Sequence, residues 1–264
     1  MMAKHLTPES TEFMRVAVLS VRKLKKAFED QEIYVAANSS TSVVPFCHVS
    51  KAFQTHGAVV TLCRAGFGSE AFALSRLILE MSITIRWITN QDQVKRADAF
   101  ALFEAKRKEY FAKAYTKYSP NNAAFTGVVQ FVENLYRQYT EKYDSFKFWS
   151  NSPNNLRGMA AEPELLDGSM APPNDIWRYD IPYSMASDYV HCNAVALGAF
   201  YPPTFVPYEV LRVDEPRLAD QAIFSATQWL FYIVTRVNTY RDLGMSAQID
   251  KAYRPFQAFV LAHP

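Results

Sequence analysis

Glycine is scarce in this chain, which has only eight glycines in 264 residues. That is about 3%, whereas an ordinary domain has roughly 7%. Sheet-rich proteins need glycine for the tight turns between strands, so the composition argues against a β-rich fold. The fourteen prolines fall mostly outside the segments whose apolar residues recur at helical spacing. Both features predict long helices joined by irregular connections.

Cysteines are also few. The chain has three cysteines, which are widely spaced: Cys47, Cys63 and Cys192. An odd number at such spacing predicts neither a disulfide framework nor a Cys-x-x-Cys site. Free thiols are typical of a reducing compartment, and the N-terminal residues lack the apolar core of a signal peptide. The sequence therefore predicts a cytoplasmic protein.

Long apolar runs are missing as well. The most apolar stretch, Ala222–Val237, is interrupted by polar residues and falls short of the ~20 residues that span a bilayer. It predicts a buried helix and no membrane association.

Neither sign of charge is in large excess, because the chain has 28 basic and 26 acidic residues and a net charge of +2. A balanced chain has no general attraction to nucleic acid. Nucleic acid therefore stays open as a partner without being indicated by charge. The basic stretch Arg22–Lys26 could contact it, although a solvated helix face also explains this stretch.

Recognisable metal and phosphate motifs do not occur. His48 and His56 are eight residues apart on one predicted helix, roughly 12 Å along its axis, so they cannot share an ion. The glycines of GFGS precede a helix, but no Walker lysine follows them. We predict neither a metal site nor a cofactor.

Apolar periodicity predicts an all-α fold of about seven to eight helices. No segment resembles a linker, so we expect residues 1–264 to form a single helical domain. A long irregular loop is expected around 149–175, with one short helix inside it. The helices are predicted at about 7–37, 46–65, 70–89, 93–118, 123–148, 183–200, 215–243 and from Ser246, with a kink or break at Pro255.

The third predicted helix carries charges although its apolar residues cover nearly its whole circumference. Such a helix should be central, and buried charges must be paired. Arg76 and Glu80, four residues apart, can pair with each other. Glu70 needs a partner from another element.

The sixth predicted helix contains the stretch YSMASDYVHCN. On a helix, Tyr183, Ser184, Ser187 and His191 lie close to one stripe, with Asp188 at its edge. His191 could act as a general acid or base with a serine or water, or it could be a structural link between helices. A Ser–His pair at this spacing is not a hydrolase signature, and no nucleophile elbow is present.

Two segments together, LCRAGFGSEAFALSRLILEMSITIRWI and WRYDIPYSMASDYVHCN, resemble the domain-of-unknown-function family 5677, which is all-helical and mostly bacterial. The resemblance covers roughly Ala58–Ala105 and Trp177–Phe200. It implies a helical fold and no established activity. The positions carried over are Arg76, Glu80, Ser187 and His191.

Two hypotheses for function follow. The first is a binding or interaction module, for a small ligand, a protein or a second copy, with a buried cluster drawn from Glu70, Arg76, Glu80, Ser187 and His191. The alternative is a phosphodiesterase similar to the HEPN ribonucleases of toxin and phage-defence systems. In it His191 is the base and Arg76, beside Glu80, stabilises charge. Those ribonucleases carry an arginine shortly before the histidine, and none of the five histidines here has an arginine five to seven positions before it.

Overall fold

The computed structural model describes residues 6–31, 39–118, 155–162, 179–191 and 216–263, together with isolated positions between these ranges. These residues form helices and their connections, and no strand occurs among them. The predicted all-α fold is therefore confirmed. The elements are α1 (Pro8–Glu29), α2 (Ser40–Arg64), α3 (Gly68–Asn90), α4 (Gln93–Tyr118), α5 (Leu156–Ala161), a π-helical turn here called the π-turn (Tyr179–Tyr183), α6 (Ser184–Val190), α7 (Pro216–Arg241) and α8 (Ser246–Ala262).

Helix α1 begins where the sequence predicts it. The Thr7 hydroxyl accepts a hydrogen bond from the Ser10 N–H at 3.0 Å, and Pro8 occupies the first helical position. The helix ends at Glu29, well before the predicted end near residue 37. Glu29 and Asp30 lie at the negative end of the helix dipole, where acidic side chains are unfavourable.

Two prolines lie inside helices. Helix α2 begins at Ser40, earlier than predicted, and includes the buried Pro45. Helix α8 continues through Pro255, where the sequence predicts a kink or break. Proline removes one backbone donor, and the carbonyl that loses it belongs to Lys251, which is exposed, so water can bind there.

Helix α3 is central, as its apolar circumference predicts. It packs against α2, α4, α5, α6 and α7. Ile78, Ile83, Ile85 and Ile88 have no exposed surface, and burial of side chains of this size provides most of the favourable free energy of folding. Helix α7, which contains the most apolar stretch of the chain, lies along α3 and is buried as predicted. None of the described helices combines the length with the apolar character that crossing a bilayer requires.

Helices α5 and α6 pack on α3, and the π-turn contacts both of them. The short helix expected inside the loop at 149–175 is α5. The remainder of that loop, nearly all of the predicted helix at 123–148 and the predicted helical residues after 191 lie outside the described residues. Helix α6 starts within a residue of its prediction, and His191 follows its last residue.

Candidate functional site

Arg76 and Glu80 of α3 form the ion pair that their spacing predicts. The Arg76 Nε donates to Glu80 Oε1 at 2.8 Å. The two side chains are 16% and 33% exposed, so the pair lies at the edge of the core and still meets solvent. Their i, i+4 spacing brings them to the same face of the helix.

Tyr183 completes this pair from the π-turn. The Arg76 Nη2 donates to the Tyr183 hydroxyl at 2.5 Å, and the guanidinium carbon lies 4.2 Å from the centre of the Tyr183 ring. The Tyr179 ring stacks on the Tyr183 ring, with 4.3 Å between the ring centroids and an angle of 17° between the ring planes. The four residues Arg76, Glu80, Tyr179 and Tyr183 are called the Arg–Tyr network below.

The environment of Tyr183 keeps its phenol protonated. Burial, followed by the negative charge of Glu80, raises the pKa of Tyr183 to about 12, although Arg76 opposes this shift. At neutral pH the phenol is therefore a neutral oxygen that accepts from Arg76 and keeps its own proton available for donation.

The π-turn places these tyrosines. Pro182 lies inside it and supplies no N–H, which is compatible with a locally widened helix. Arg157 of α5 holds the turn from the other side, because its Nε and Nη2 donate to the two Asp180 oxygens at 2.9 and 3.2 Å. Both of these side chains are largely exposed.

Helix α6 presents its apolar side to α3. Ala186 is buried, and the Tyr189 ring meets Phe72 edge-on at 5.8 Å. Ser184 is exposed and Ser187 is half-buried. Their hydroxyls donate to the carbonyls of the π-turn, Ser184 to Tyr179 at 3.4 Å and Ser187 to Tyr183 at 2.8 Å.

His191 differs from expectation. It is exposed at the end of α6, and its backbone N–H donates to the Ser187 carbonyl at 3.0 Å. No hydrogen bond joins its ring to Ser187, Arg76 or Glu80 within the described residues. The Ser187 hydroxyl is instead engaged with the backbone, as serine hydroxyls in helices commonly are. Asp188 is half-buried on the same helix.

Glu70 also lies apart from the Arg–Tyr network, which corrects the expectation of a buried charge. It is exposed in the first turn of α3 and accepts from the Ser69 hydroxyl at 2.9 Å. The positive end of the helix dipole favours a carboxylate there without any partner from another element. The expected cluster of five residues is therefore divided, because only Arg76 and Glu80 meet directly.

A second polar cluster, which the sequence did not predict, lies at the other end of α3. Arg96 of α4 donates to both carboxylate oxygens of Glu162 at 2.8 and 2.9 Å, and Asn90 donates to one of them at 2.8 Å. Arg86, whose side chain is fully buried, donates to the carbonyls of Ala160 and Glu162. These contacts join α5 to α3 and α4.

The charge of Glu162 is maintained by this cluster. Burial would raise the pKa of Glu162, but hydrogen bonds from Arg96 and Asn90 and the charge of Arg96 hold that pKa below its usual value. The signal for this cluster in the sequence was Arg86, a charge on a helix with apolar residues all round. Its partners come from separate segments, so spacing could not identify them.

In the described part of the chain, no group of three or more His, Cys, Asp or Glu side chains lies close enough together to hold a metal ion. Cys47 is exposed and Cys63 is buried. Burial, with the nearby charge of Asp220, raises the pKa of the Cys63 thiol to about 12. Cys192 lies outside the described residues.

Comparison with known proteins gives one match. The family model described as "Family of unknown function (DUF5677)" matches residues 42–201, which is more than half of the chain and includes α3, the π-turn and α6. No curated protein and no solved structure matches the chain. The chain therefore belongs to the DUF5677 family of unknown function.

Proposed function

We propose that this chain is an interaction module whose recognition face is centred on the Arg–Tyr network. The observation that carries the proposal is the combination of a pre-ordered Arg76–Tyr183 pair with exposed apolar side chains on the same elements and on the adjoining α6. Four such side chains are 41–58% exposed. They are Leu77 on α3, Ile181 in the π-turn, and Met185 and Val190 on α6.

The order within the network favours binding. The side chains of Arg76 and Tyr183 are already held by each other and by Glu80 and Tyr179. Immobilising a flexible side chain at an interface costs about 0.5–1.5 kcal/mol, and here that cost has been met during folding. Arginine and tyrosine are also enriched among the residues that dominate interface energies.

The partner that suits this face best is a second copy of the chain. The elements that carry these apolar side chains also carry both signs of charge, from Arg76 and Glu80 on α3 and from Asp180 in the π-turn. In a two-fold interface the same patch meets itself, so a patch whose basic and acidic side chains already neutralise each other meets its copy without net repulsion. Exposed apolar surface beside polar residues is typical of such contacts.

Sedimentation velocity tests the proposal. We expect the wild-type chain to associate into dimers at roughly micromolar concentration. A variant with Ile181→Asp and Met185→Asp should remain monomeric, because it buries two carboxylates in the contact. Leu261→Asp is the matched control, since Leu261 is 74% exposed on α8 and its substitution should leave the dimer unchanged.

Two results would reject this proposal. A wild-type chain that stays monomeric up to about 1 mM has no self-association of this strength. Dimers that Leu261→Asp disrupts, and that the Ile181 and Met185 substitutions do not, would use another face. Circular dichroism of each variant establishes that the helices are retained.

The enzyme hypothesis stays a prediction. It requires His191 and Arg76 to share one pocket, and no described contact joins them. The Arg76 guanidinium is already engaged by Glu80 and Tyr183, which leaves it poorly available to a phosphodiester. A cytoplasmic location and a bacterial origin belong to the same proposal, supported by the chain's exposed free thiol at Cys47 and the family resemblance.

A further inference from the structure

A groove between α1 and α2 is independent of the Arg–Tyr network and shares no residue with it. Its volume is about 510 Å³, within the roughly 300–1,000 Å³ of small-molecule sites. The apolar walls include Val21 of α1 and the half-buried Phe28, Phe46 and Phe53. Phe28 and Phe46 meet edge-on across the two elements, at 6.1 Å between ring centres.

The rim of this groove carries an excess of positive charge. Arg22 on α1 and Arg64 on α2 line it, are exposed and make no ion pair or hydrogen bond with any described residue. The other two charges of the rim, Lys25 and Glu29, lie 3.5 Å apart and neutralise each other. Two guanidinium groups beside apolar walls, with no partner in the described part of the chain, favour a ligand with one anionic end.

His56 lines the inner side of the groove. Its ring is buried, and Nε2 lies 3.0 Å from the Thr227 hydroxyl. Its Nδ1 has no hydrogen-bond partner within the described ranges. Burial lowers the pKa of His56 to about 4, so at neutral pH the ring is uncharged and can offer a hydrogen bond without adding charge.

Gly57 leaves the groove open in the middle of α2. Glycine within a helix is unfavourable compared with alanine, so its place here calls for a reason. A Cβ atom at Gly57 would meet nothing within 4 Å, which means that no packing contact demands glycine at this position. The missing side chain instead adds room to the groove that Gly57 lines.

From these contacts we propose that the groove binds a small monocarboxylate with an apolar body. Its carboxylate would be attracted by the positive rim that Arg22 and Arg64 provide, and its hydrocarbon part would pack against Val21, Phe28 and Phe53. An uncharged molecule of the same shape would lose the guanidinium contacts, and a short carboxylate would lose the apolar ones. The site should therefore require both parts of the ligand.

Isothermal titration calorimetry with sodium octanoate tests this directly. Octanoate should bind at one site per chain. 1-Octanol should bind at least about tenfold more weakly than octanoate, and acetate should not bind. Gly57→Leu should abolish octanoate binding because the new side chain fills the groove. Its control is Ala58→Leu, since the neighbouring Ala58 is exposed and does not line the groove.

The charge requirement has its own pair of variants. Arg22→Gln with Arg64→Gln should weaken octanoate binding at least about tenfold and leave 1-octanol binding unchanged. Lys23→Gln with Lys51→Gln removes the same number of charges from exposed positions outside the groove and should bind as the wild type does.

Several results would overturn the proposal. The first is that octanoate fails to bind at about 10 mM. The second is that the variant lacking both groove arginines binds octanoate as tightly as the variant lacking the two control lysines. The third is that Gly57→Leu binds octanoate as tightly as the wild type does. Binding of an acidic amphipathic peptide in place of octanoate would assign the groove to a protein partner and would also reject it. Should Gly57→Leu fail to fold by circular dichroism, the charge variants decide the matter.

Discussion

Arg96 holds Glu162 through both of its terminal nitrogens, at 2.8 and 2.9 Å, while its guanidinium carbon lies 3.8 Å from the centre of the Trp87 ring. One arginine thus joins three helices, because Arg96 belongs to α4, Trp87 to α3, and Glu162 directly follows α5. A two-pronged pair of this kind combines charge with fixed geometry. It positions α5, which in turn holds the π-turn through Arg157.

We expect Glu162→Gln to destabilise the fold by about 1–3 kcal/mol. The Arg96 side chain is only 8% exposed, so removing its partner leaves a charge with little access to water. Urea unfolding followed by circular dichroism gives the change in the free energy of unfolding. Glu12→Gln is the control, because Glu12 also accepts two hydrogen bonds from an arginine, Arg15, but the pair is exposed and its loss should matter little. Equal effects of the two substitutions would contradict the prediction.

The contribution of Glu162 should also depend on pH. Its pKa is held below the value of about 4.3 that it has in the unfolded chain. A lowered pKa stabilises the fold above the unfolded value, and this stabilisation is lost as the pH falls through the folded value. The stability difference between wild type and Glu162→Gln should therefore be constant above about pH 5 and shrink below it. A difference that grows on acidification would show that another group governs the pair.

Tyr183→Phe should remove one late-ionising phenol from the alkaline titration of the folded protein. The pKa of Tyr183 is raised to about 12, so its neutral form stabilises the fold below the unfolded value of roughly 10, and this stabilisation is lost as the pH rises towards 12. Phenolate absorbance counts the tyrosines at each step. The exposed Tyr110 provides the control, because Tyr110→Phe should leave the late step intact. If Tyr183→Phe ionises as many phenols as the wild type does in the last step of the titration, the pKa of Tyr183 is not raised by its surroundings.

Local signals predicted most of the fold. The Thr7 cap, the ends of α4 and the central place of α3 follow from patterns within single segments, and helix chemistry is local. The Arg76–Glu80 pair follows from spacing alone. Helix ends that depend on packing were harder to predict from the sequence, as the early start of α2 before the buried Pro45 illustrates.

The candidate site was predictable only where its residues share a helix. Nothing in the spacing of Arg76 indicates that Tyr183, 107 residues later, accepts its hydrogen bond. His191 was expected to face α3, but the apolar contacts of Ala186 and Tyr189 set the rotation of α6 and leave His191 exposed. Burial of one face decides the direction of every other side chain on a helix.

We expect acid to destabilise the protein partly through His56. Burial lowers the pKa of His56 to about 4, whereas the unfolded value is about 6.5. Between these values the unfolded chain binds a proton that the folded chain does not, so the free energy of unfolding falls as the pH drops from 6.5 towards 4. The loss is on the order of 3 kcal/mol, from about 1.4 kcal/mol per pKa unit.

His56→Gln should flatten this part of the stability profile, measured by urea unfolding at several pH values. The burial of His48 lowers the pKa of that residue too, so a smaller slope should remain. His263→Gln removes an exposed histidine and serves as the control. If the free energy of unfolding of His56→Gln falls as steeply with decreasing pH as that of the wild type, the ring must take up its proton without leaving its buried position.

Thiol reactivity should distinguish Cys47 from Cys63. The Cys63 Sγ is buried, donates to the Ala219 carbonyl at 3.6 Å and has a pKa of about 12, so it offers almost no thiolate to a reagent. In a Cys192→Ser background we expect one thiol to react rapidly with a disulfide reagent in the folded protein, and two in urea. Adding Cys47→Ser should abolish the rapid reaction, so that the remaining thiol reacts only as α2 and α7 separate. Rapid labelling of Cys63 in that double variant would mean that this part of the core opens readily, and its rate in increasing urea would then report the free energy of that opening.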